Sequence, residues 1–537
     1  MDPSVKSIER LMYPLAAFAL ADGDNGSRPT SENQAGLDCW DRSSLNPKNR
    51  VDSLSPLKNP TWHILGVQAD GHRMFAVPTF AIDKPALRVD VYLSEYDDYK
   101  ISAQLHDVLE PDYALRVKSG EAYRVPLFQH LLRGLESWSS RLENFQERHF
   151  ELPFGSLIAV GSICANVHEM DFHMIPDYET ENSWFSAAKL QEEWSANVEA
   201  ITCPEVISLE DIHLQDQPHE AISIVTIPRL TDTKQWVFKS ILGDVQYMYH
   251  ELWMLLKMQQ HPNIIAMPFR GRRGICGFIL ELYRTGTLRD LLSAVDLGRR
   301  PEPSVGQKLC WSRQIVEAMC HINGACDMFY TGIKHVNIAM SDDNRPIALD
   351  FEQRTGRYIW VPPEIYYINY LEYVAESSSI PMQICQQTIR LLKSYLSDWK
   401  PGSNAVTSTS AAAGYRFSQA GYSAPWRALS EKEREGAQVY MLGRLLWCIF
   451  ETVGSVDSGL NIETFREHET DLSFPEFRKT PEGMRCIIEQ CTRGAPEWSG
   501  RFPSVVKSRG KLWPRGQSGR NGKPWGSVEQ TQEAARV

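Results

Sequence analysis

Paired cysteines are missing from this sequence: its eleven cysteines are scattered, and no two have the CxxC spacing. That absence argues against a disulfide framework or a zinc ribbon and favours reduced thiols in the cytoplasm. Positive charge is also scarce, since 67 Asp and Glu residues outnumber 56 Lys and Arg residues and leave a net charge of −11. An acidic chain of this kind is not expected to be a general binder of DNA or of membrane surfaces.

Long apolar runs are absent too, so we expect no membrane span. Residues 11–21 resemble a signal peptide, because a short apolar run ends in an Ala-x-Ala triplet. Pro14 interrupts this run, and Asp2 and Glu9 dilute the positive charge that should precede it. A cytoplasmic location is therefore the expectation, and secretion through residues 11–21 is the minor alternative.

The length of 537 residues is too great for one ordinary core, so we expect more than one domain. Residues 1–60, which are rich in Asp, Asn, Ser and Pro, are predicted to be flexible. Residues 61–200 are predicted to form a smaller α+β region of unknown type. A second domain is expected over 205–503 with an insertion at 365–436, and a disordered basic tail over 504–537.

Local patterns support the α+β prediction for the first region. Two apolar segments, at 62–67 and 74–77, flank an Asp-Gly dipeptide, which favours a β-hairpin. Residues 87–93 alternate apolar and polar side chains, as a half-buried strand does. Apolar residues over 127–142 then recur at helical spacing and predict an amphipathic helix.

The second domain begins with strands and continues with helices. Its predicted strands lie at 206–214, 221–227, 236–241 and 277–282, with a turn at 216–219 between the first two. A helix is predicted at 249–258, and a longer one at 307–326 with Leu309, Ile315, Met319 and Ile322 on its apolar side. A further amphipathic helix is predicted at 382–399, followed by a disordered Ser/Ala/Gly-rich run at 402–423.

Residues 329–351 read as a loop, a short strand, a turn and a second strand. Lys334 and Asn337 precede the first strand, and Asp350 follows the second. The carboxylate and the amide are oxygen ligands that suit Mg²⁺, and the ammonium suits a phosphate. This hairpin is therefore predicted to hold a metal-bound polyphosphate.

The succession over 205–503 resembles a eukaryotic serine/threonine protein kinase domain and is similar to degenerate fungal kinase-like proteins. Lys239 in VFKSI matches the strand lysine of the kinase VAIK motif, and Glu251 matches the ion-pair partner of that lysine. The HPNI sequence at 261–264 matches the turn that usually follows the helix of this glutamate. The resemblance implies a bilobal, protein-kinase-like α+β fold.

The next segments continue the resemblance in the same order. Leu280 matches the gatekeeper, and Glu281 and Tyr283 match the hinge that hydrogen-bonds adenine through its backbone. Residues 330–337 align with the HRDLKxxN motif, and residues 350–352 align with DFG. The resemblance thus places Lys334, Asn337 and Asp350 in the catalytic loop and metal site.

Other matches are structural rather than catalytic. Glu364 resembles the glutamate of the APE motif, and Arg501 resembles the arginine that pairs with it. Residues 438–450 resemble the central helix of the large kinase lobe. The positions where the family stacks its regulatory spine are apolar or aromatic: Leu255, Tyr330 and Phe351.

The resemblance implies ATP and Mg²⁺ as cofactors. Lys239, positioned by Glu251, would place a charge on the α/β-phosphates. Asn337 and Asp350 would hold Mg²⁺. Lys334 would stabilise the transferred phosphoryl group.

Three departures weaken the catalytic prediction. Gly332 stands where the family has its catalytic aspartate, and loss of such a proton acceptor typically costs about 10²- to 10⁴-fold in rate. Residues 205–235 contain no glycine, so a phosphate-cradling loop is missing. Glu352 replaces the DFG glycine and adds negative charge beside Asp350, and only fourteen residues lead from Asp350 to Glu364.

We therefore weigh three classes of function. The first is a pseudokinase that acts as a scaffold or regulator of a protein partner, with or without bound ATP. The alternative is a weak or atypical serine/threonine kinase, in which a residue such as His335 would assist the substrate hydroxyl. The third is an interaction protein that binds no nucleotide. The basic tail could contact RNA, acidic lipid or an acidic protein, or it could remain solvated.

Overall fold

The computed structural model of the chain describes the following residues: 59–67, 73–84, 87–93, 100–101, 126–164, 166–195, 206–242, 245–258, 261–264, 274–353, 360–362, 365, 368, 371–372, 375–376, 382–397, 399–400, 422–454, 476–492, 505–508 and 511–514. No helix within this part of the chain is long and apolar enough to cross a membrane.

Helices and strands are both present, which confirms the α+β class. The described strands are β1 Trp62–Val67, β2 Arg73–Pro78, β3 Val89–Leu93, β4 Lys100–Ile101, β5 Ser156–Ile163, β6 Asp171–Ile175, β7 His213–His219, β8 Ile222–Ile227, β9 Thr231–Lys239, β10 Phe278–Glu281, β11 Ile338–Met340, β12 Pro346–Ala348, β13 Val505–Ser508 and β14 Lys511–Pro514. The described α-helices are α1 Pro126–Arg141, α2 Phe145–Glu151, α3 Tyr178–Asn182, α4 Ala187–Ser195, α5 Val245–Lys257, α6 Leu288–Asp296, α7 Val305–Cys326, α8 Met382–Tyr395, α9 Ala424–Arg427, α10 Glu431–Glu451 and α11 Glu482–Thr492.

The residues cluster into two compact units. The first unit draws on Met1–Ala187, Pro204–Leu242 and Phe269–Leu282. The second draws on Ala188–Cys203, Gly243–Pro268 and Tyr283–Val537.

The first unit contains a mixed six-stranded sheet with the order β1-β2-β3-β5-β4, and β6 pairs with β5. As predicted, the strands at 62–67 and 73–78 pair antiparallel, although the Asp70-Gly71 turn itself lies outside the described residues. β3 pairs in parallel with β5, and the chain between them includes α1 and α2. The predicted helix is confirmed, because Leu131 and Leu135 of α1 are buried in the same core cluster as the sheet residues.

The first unit also contains an antiparallel sheet with the order β10-β9-β8-β7. The predicted turn at 216–219 is wrong, because β7 continues to His219 and the turn follows at Glu220 and Ala221. The pairing of β7 with β8 shifts register on both sides of Asp216. Such irregularities admit Pro218, which has no N–H to donate to a regular ladder.

Long helices dominate the second unit. α7 confirms the predicted long helix and buries Ile315, Met319 and Ile322, but Leu309 is 44% exposed, so its assignment to the apolar side is wrong. α10 covers the predicted central helix. It begins at a capping box in which Ser430 N donates to Glu433 Oε2 at 2.7 Å, which explains its start at SEKE.

A buried polar cluster joins the ends of these two helices. Lys308 Nζ on α7 donates to Phe450 O at 3.0 Å and to Thr452 Oγ1 at 2.7 Å at the end of α10. Glu302 Oε1 accepts from Lys308 Nζ at 2.8 Å. The buried ammonium is thereby fully engaged, as a buried charge must be.

Two short strands lie in the segment where the sequence predicts a disordered basic tail. β13 and β14 pair antiparallel, with Ser508 opposite Lys511. The other residues of 504–537 lie outside the described part of the chain, and disorder of the tail stays a prediction for them.

Candidate functional site

The predicted strand–turn–strand at 338–348 is confirmed. β11 pairs antiparallel with β12, so that Ile338 lies opposite Ala348 and Met340 lies opposite Pro346. A 3₁₀ turn at His335–Asn337 leads into β11. Because the two ends of a hairpin lie side by side, this pairing carries Asn337 to Asp350.

Asn337 and Asp350 are in direct contact, but not as two oxygens facing one cation. Asn337 is buried, and its Nδ2 donates to Asp350 Oδ2 at 2.9 Å and to Gly332 O at 3.0 Å. The backbone fixes this arrangement further, since Leu349 N donates to Asn337 O at 3.1 Å. The amide therefore orients the Asp350 carboxylate in this structure.

A group of three carboxylates lies at the same place. One oxygen each from Glu251, Asp350 and Glu352 lies within 4.8 Å of the others, which fits a divalent cation with oxygen ligands. Glu251 on α5 is fully buried, and its Oε1 accepts from Phe351 N at 3.1 Å. This is the one such metal-capable group among the described residues.

Sequence reasoning did not place Glu251 or Glu352 among the metal ligands. The sequence shows Glu352 as an additional negative charge beside Asp350, and that signal would have been sufficient to include it among the candidate metal ligands. Glu251 lies 100 residues before Phe351, and no local pattern brings the two together. Only the fold reveals that contact.

Gly332 lies in a space that Tyr330 already fills. A Cβ at Gly332 would lie 2.7 Å from Tyr330 Cε2 and 2.7 Å from Tyr330 Oη. The φ angle of Gly332 is not in the left-handed region, so the constraint is space rather than backbone conformation. Tyr330 is itself held, because its hydroxyl donates to Leu349 O at 2.7 Å and its ring lies 5.1 Å from that of Phe351.

Gln353 ties the segment after Asp350 to the loop before Gly332. Its Oε1 accepts from Thr331 N at 2.9 Å and from Thr331 Oγ1 at 3.1 Å, and its Nε2 donates to Phe329 O at 2.8 Å. Tyr422, at the end of the run predicted to be disordered, accepts from Phe329 N at 2.6 Å. Gln353 and Tyr422 are both buried, so these bonds fix the loop from two sides.

His335 does not suit the role of helper to a substrate hydroxyl. It is buried, and its ring lies 4.9 Å from the ring of Trp360. Burial, reinforced by the charge of Arg289, lowers the pKa of His335 to about 4. Lys334, one residue earlier, is only half-buried and has an extended backbone.

The predicted nucleotide-contacting residues at 239 and 280–281 lie in the first unit. Lys239, at the end of β9, is 5% exposed and lies opposite Phe278. Leu280 is buried opposite Val237. The Glu281 side chain forms an exposed ion pair with Lys234, with an N–O distance of 3.1 Å.

The remaining predicted residues divide between the second unit and the part that the structure does not describe. Tyr283 belongs to the second unit, where its carbonyl accepts from Gly286 N at 3.3 Å. Glu364 and Arg501 lie outside the described residues. The aligned spine positions Leu255, Tyr330 and Phe351 are all buried.

No protein-family model matches this chain, and a search of the curated proteins also returned no match. The kinase resemblance therefore stays a prediction from motifs.

Proposed function

We propose that this chain is a cytoplasmic, protein-kinase-like pseudokinase that acts as a scaffold or regulator of a protein partner. One observation carries the proposal. The Tyr330 ring occupies the space that any side chain at Gly332 would need. The loop that the motifs assign to catalysis therefore leaves no room at this position for a side chain that accepts a proton. His335, the nearby candidate substitute, is buried and has a lowered pKa.

The proposed protein retains groups that suit Mg²⁺ and a nucleotide. Asp350, Glu352 and Glu251 offer the oxygens that would hold the cation. When bound, Mg²⁺ would neutralise phosphate charge. Lys334 and Lys239 carry the ammonium groups that the motifs assign to phosphates, and Asn337 orients the Asp350 carboxylate.

A weak serine/threonine kinase, which would transfer the γ-phosphate of ATP to protein hydroxyls, is the second candidate. The contact between Asn337 and Asp350 and the nearby carboxylates favour it, since positioning and charge account for most of the catalysis of phosphoryl transfer. Without an acid–base group at Gly332, we expect its rate to lie about 10²- to 10⁴-fold below that of an intact site.

The decisive experiment combines binding and transfer on the same preparations. Wild-type protein, Asp350→Asn and Asp342→Asn are each incubated with Mg²⁺ and labelled ATP, and thermal unfolding and phosphotransfer are recorded in parallel. Asp342 is the matched control, because it is an exposed aspartate in the turn of the same hairpin. A ligand that binds only the native state must raise the unfolding temperature.

The pseudokinase proposal predicts a Mg²⁺-dependent shift with ATP that Asp350→Asn removes and Asp342→Asn retains, with no transfer above background. Transfer that Asp350→Asn abolishes and Asp342→Asn leaves intact would establish the kinase instead. If ATP far above micromolar concentration produces no shift in any variant, both nucleotide-binding proposals are wrong, and an interaction protein without nucleotide is favoured.

A further inference from the structure

The side of helix α7 that faces away from the core carries apolar side chains where a solvated helix usually carries charges. Leu309 is 44% exposed and Val316 is 36% exposed. They are seven residues apart, so both lie on the same side of the helix. All of α7 is described, and its only exposed Lys, Arg, Asp or Glu side chains are Arg313 and Glu317, because Lys308 is buried. A face with so little charge is typical of the centre of a protein interface.

The two exposed charges of α7 are placed symmetrically. Arg313 lies two residues before Ile315, and Glu317 lies two residues after it. Within the chain they form an i,i+4 ion pair with an N–O distance of 3.5 Å, but their side chains are 72% and 55% exposed, so each can also contact a neighbouring molecule. A second α7 that runs antiparallel, related by a two-fold axis level with Ile315, places Arg313 of each copy beside Glu317 of the other. One arrangement therefore produces two ion pairs between the copies.

The same axis brings the exposed apolar side chains together. Val316 is one residue from the axis, so the Val316 side chains of the two copies lie next to each other at the centre. A two-fold axis relates each flank of the helix to the same flank of the other copy. Leu309, on the flank of Val316, therefore extends the apolar contact outward in both directions. Charge and apolar surface are thus matched by a single geometry.

We propose that α7 is a self-association surface, on which the α7 helix of a second copy of this chain packs antiparallel about Ile315. The occupant is a second copy rather than an unrelated protein, because Arg313 and Glu317 complement themselves when the same helix is reversed. α7 has 22 residues and is about 33 Å long, and one pair of such helices is smaller than a standard interface. We therefore expect a dimer that dissociates in the micromolar range. The proposal is independent of nucleotide binding and of phosphotransfer, because α7 carries none of the residues of the candidate site.

The first test measures the sedimentation coefficient of the full chain over a concentration series from micromolar to several hundred micromolar. Leu309→Glu and Val316→Glu each place a carboxylate in the apolar contact. The matched control is Ile487→Glu, because Ile487 is an apolar residue of α11 with 45% exposure. Wild type and Ile487→Glu should dimerise alike, whereas Leu309→Glu and Val316→Glu should weaken dimerisation at least about tenfold.

A charge exchange tests the antiparallel geometry itself. Arg313→Glu gives the exposed face of α7 two negative charges, and Glu317→Arg gives it two positive charges. Each variant alone should stay monomeric at concentrations where wild type dimerises, because like charges then face each other across the axis. An equimolar mixture of the two variants restores opposite charges at both contacts and should dimerise. The double variant, in which the two charges are exchanged within one chain, should dimerise for the same reason.

Chemical cross-linking provides a measurement that does not depend on altered charge. Cys310 and Cys320 lie five residues before and five residues after Ile315, so the axis places them level with each other in different copies. Within one chain they are about 15 Å apart along the helix, which a short bismaleimide does not span. We expect a covalent dimer joined through Cys310 and Cys320. Cys320→Ser should remove this dimer, and Cys486→Ser, at an exposed cysteine of α11, should retain it.

The proposal is wrong if wild type stays monomeric throughout the concentration series, if Ile487→Glu weakens dimerisation as much as Leu309→Glu does, or if the mixture of the two charge variants stays monomeric. A dimer joined through cysteines other than Cys310 and Cys320 would place the interface elsewhere and overturn it as well. Thermal unfolding of each variant is compared with wild type first. If a glutamate variant does not fold, the mixing experiment and the cross-link to Cys320 decide the question.

Discussion

Replacing Gly332 with alanine is expected to destabilise the protein, although the exchange usually stabilises a chain by restricting its unfolded state. The new Cβ would lie 2.7 Å from Tyr330 Cε2 and Oη and 2.8 Å from Tyr330 Cζ. The ring cannot simply move away, because Tyr330 is fully buried and its hydroxyl donates to Leu349 O. Overpacking of this kind costs about 1–3 kcal/mol. Displacement of the ring would add about 1 kcal/mol for the lost hydrogen bond.

The assay is urea-induced unfolding followed by tryptophan fluorescence, with Gly324→Ala as the matched control. Gly324 lies in α7 with nothing within 4 Å of its added Cβ, so its replacement should be neutral or stabilising by up to about 1 kcal/mol. Tyr330→Ala and the double variant complete a cycle. If the clash is with the ring, Gly332→Ala should cost far less in the Tyr330→Ala background, with a coupling of about 1–3 kcal/mol.

The same Cβ is present in Gly332→Asp, so the variant that would restore a catalytic aspartate should be destabilised at least as much as Gly332→Ala. Restoration therefore needs a smaller residue at 330 as well. Wild-type stability of Gly332→Ala, or a coupling near zero in the cycle, would refute this reasoning about the packing around Gly332.

Three further predictions concern buried polar groups. Gln353→Ala should speed hydrogen–deuterium exchange at Thr331, because the Thr331 N–H loses its acceptor. Unchanged exchange at Thr331 would contradict this role of the Gln353 side chain. Glu451→Gln should lower the free energy of unfolding in urea by about 2–3 kcal/mol, because the carboxylate accepts hydrogen bonds from the backbone N–H groups of residues 478–480. An unchanged urea midpoint would show that these hydrogen bonds do not stabilise the protein. Burial lowers the pKa of His149 from 6.5 to about 4, so the unfolded state takes up the proton at a higher pH than the folded state does. The free energy of unfolding should therefore fall by up to about 1.4 kcal/mol per pH unit as the pH drops from about 6.5 to 4. His149→Phe should reduce this loss, and identical pH profiles of the two proteins would refute the assignment of the pH dependence to His149.

The local sequence pattern predicted a helix, strand or hairpin correctly where the residues of that element are enough to decide its structure. Alternation predicted β3, helical spacing predicted α1, and apolar segments on either side of a polar turn predicted the hairpin of β11 and β12. Each signal spans a few residues and reflects which side faces a core. It specifies that a face is buried, but not what covers it.

The errors arose where a distant partner decided the outcome. Leu309 has the spacing of a buried residue, yet nothing among the described residues covers it enough to bury it, and it is 44% exposed. Pro218 reads as part of a turn, yet irregular pairing with β8 extends β7 through it. Neither the exposure of Leu309 nor the extension of β7 through Pro218 can be predicted from a stretch of about ten neighbouring residues.

For the candidate site, the sequence alone determined the inventory: Asn337 and Asp350 at the two ends of a hairpin, an extra carboxylate at Glu352, and no side chain at Gly332. Tertiary structure decided how these groups are used. It brought Glu251 to the backbone of Phe351 from 100 residues away, turned the Asn337 amide toward Asp350, and filled the space at Gly332 with the Tyr330 ring. The physical reason is that hydrogen-bond direction and close packing depend on atoms that neighbour each other in space, whatever their separation along the chain.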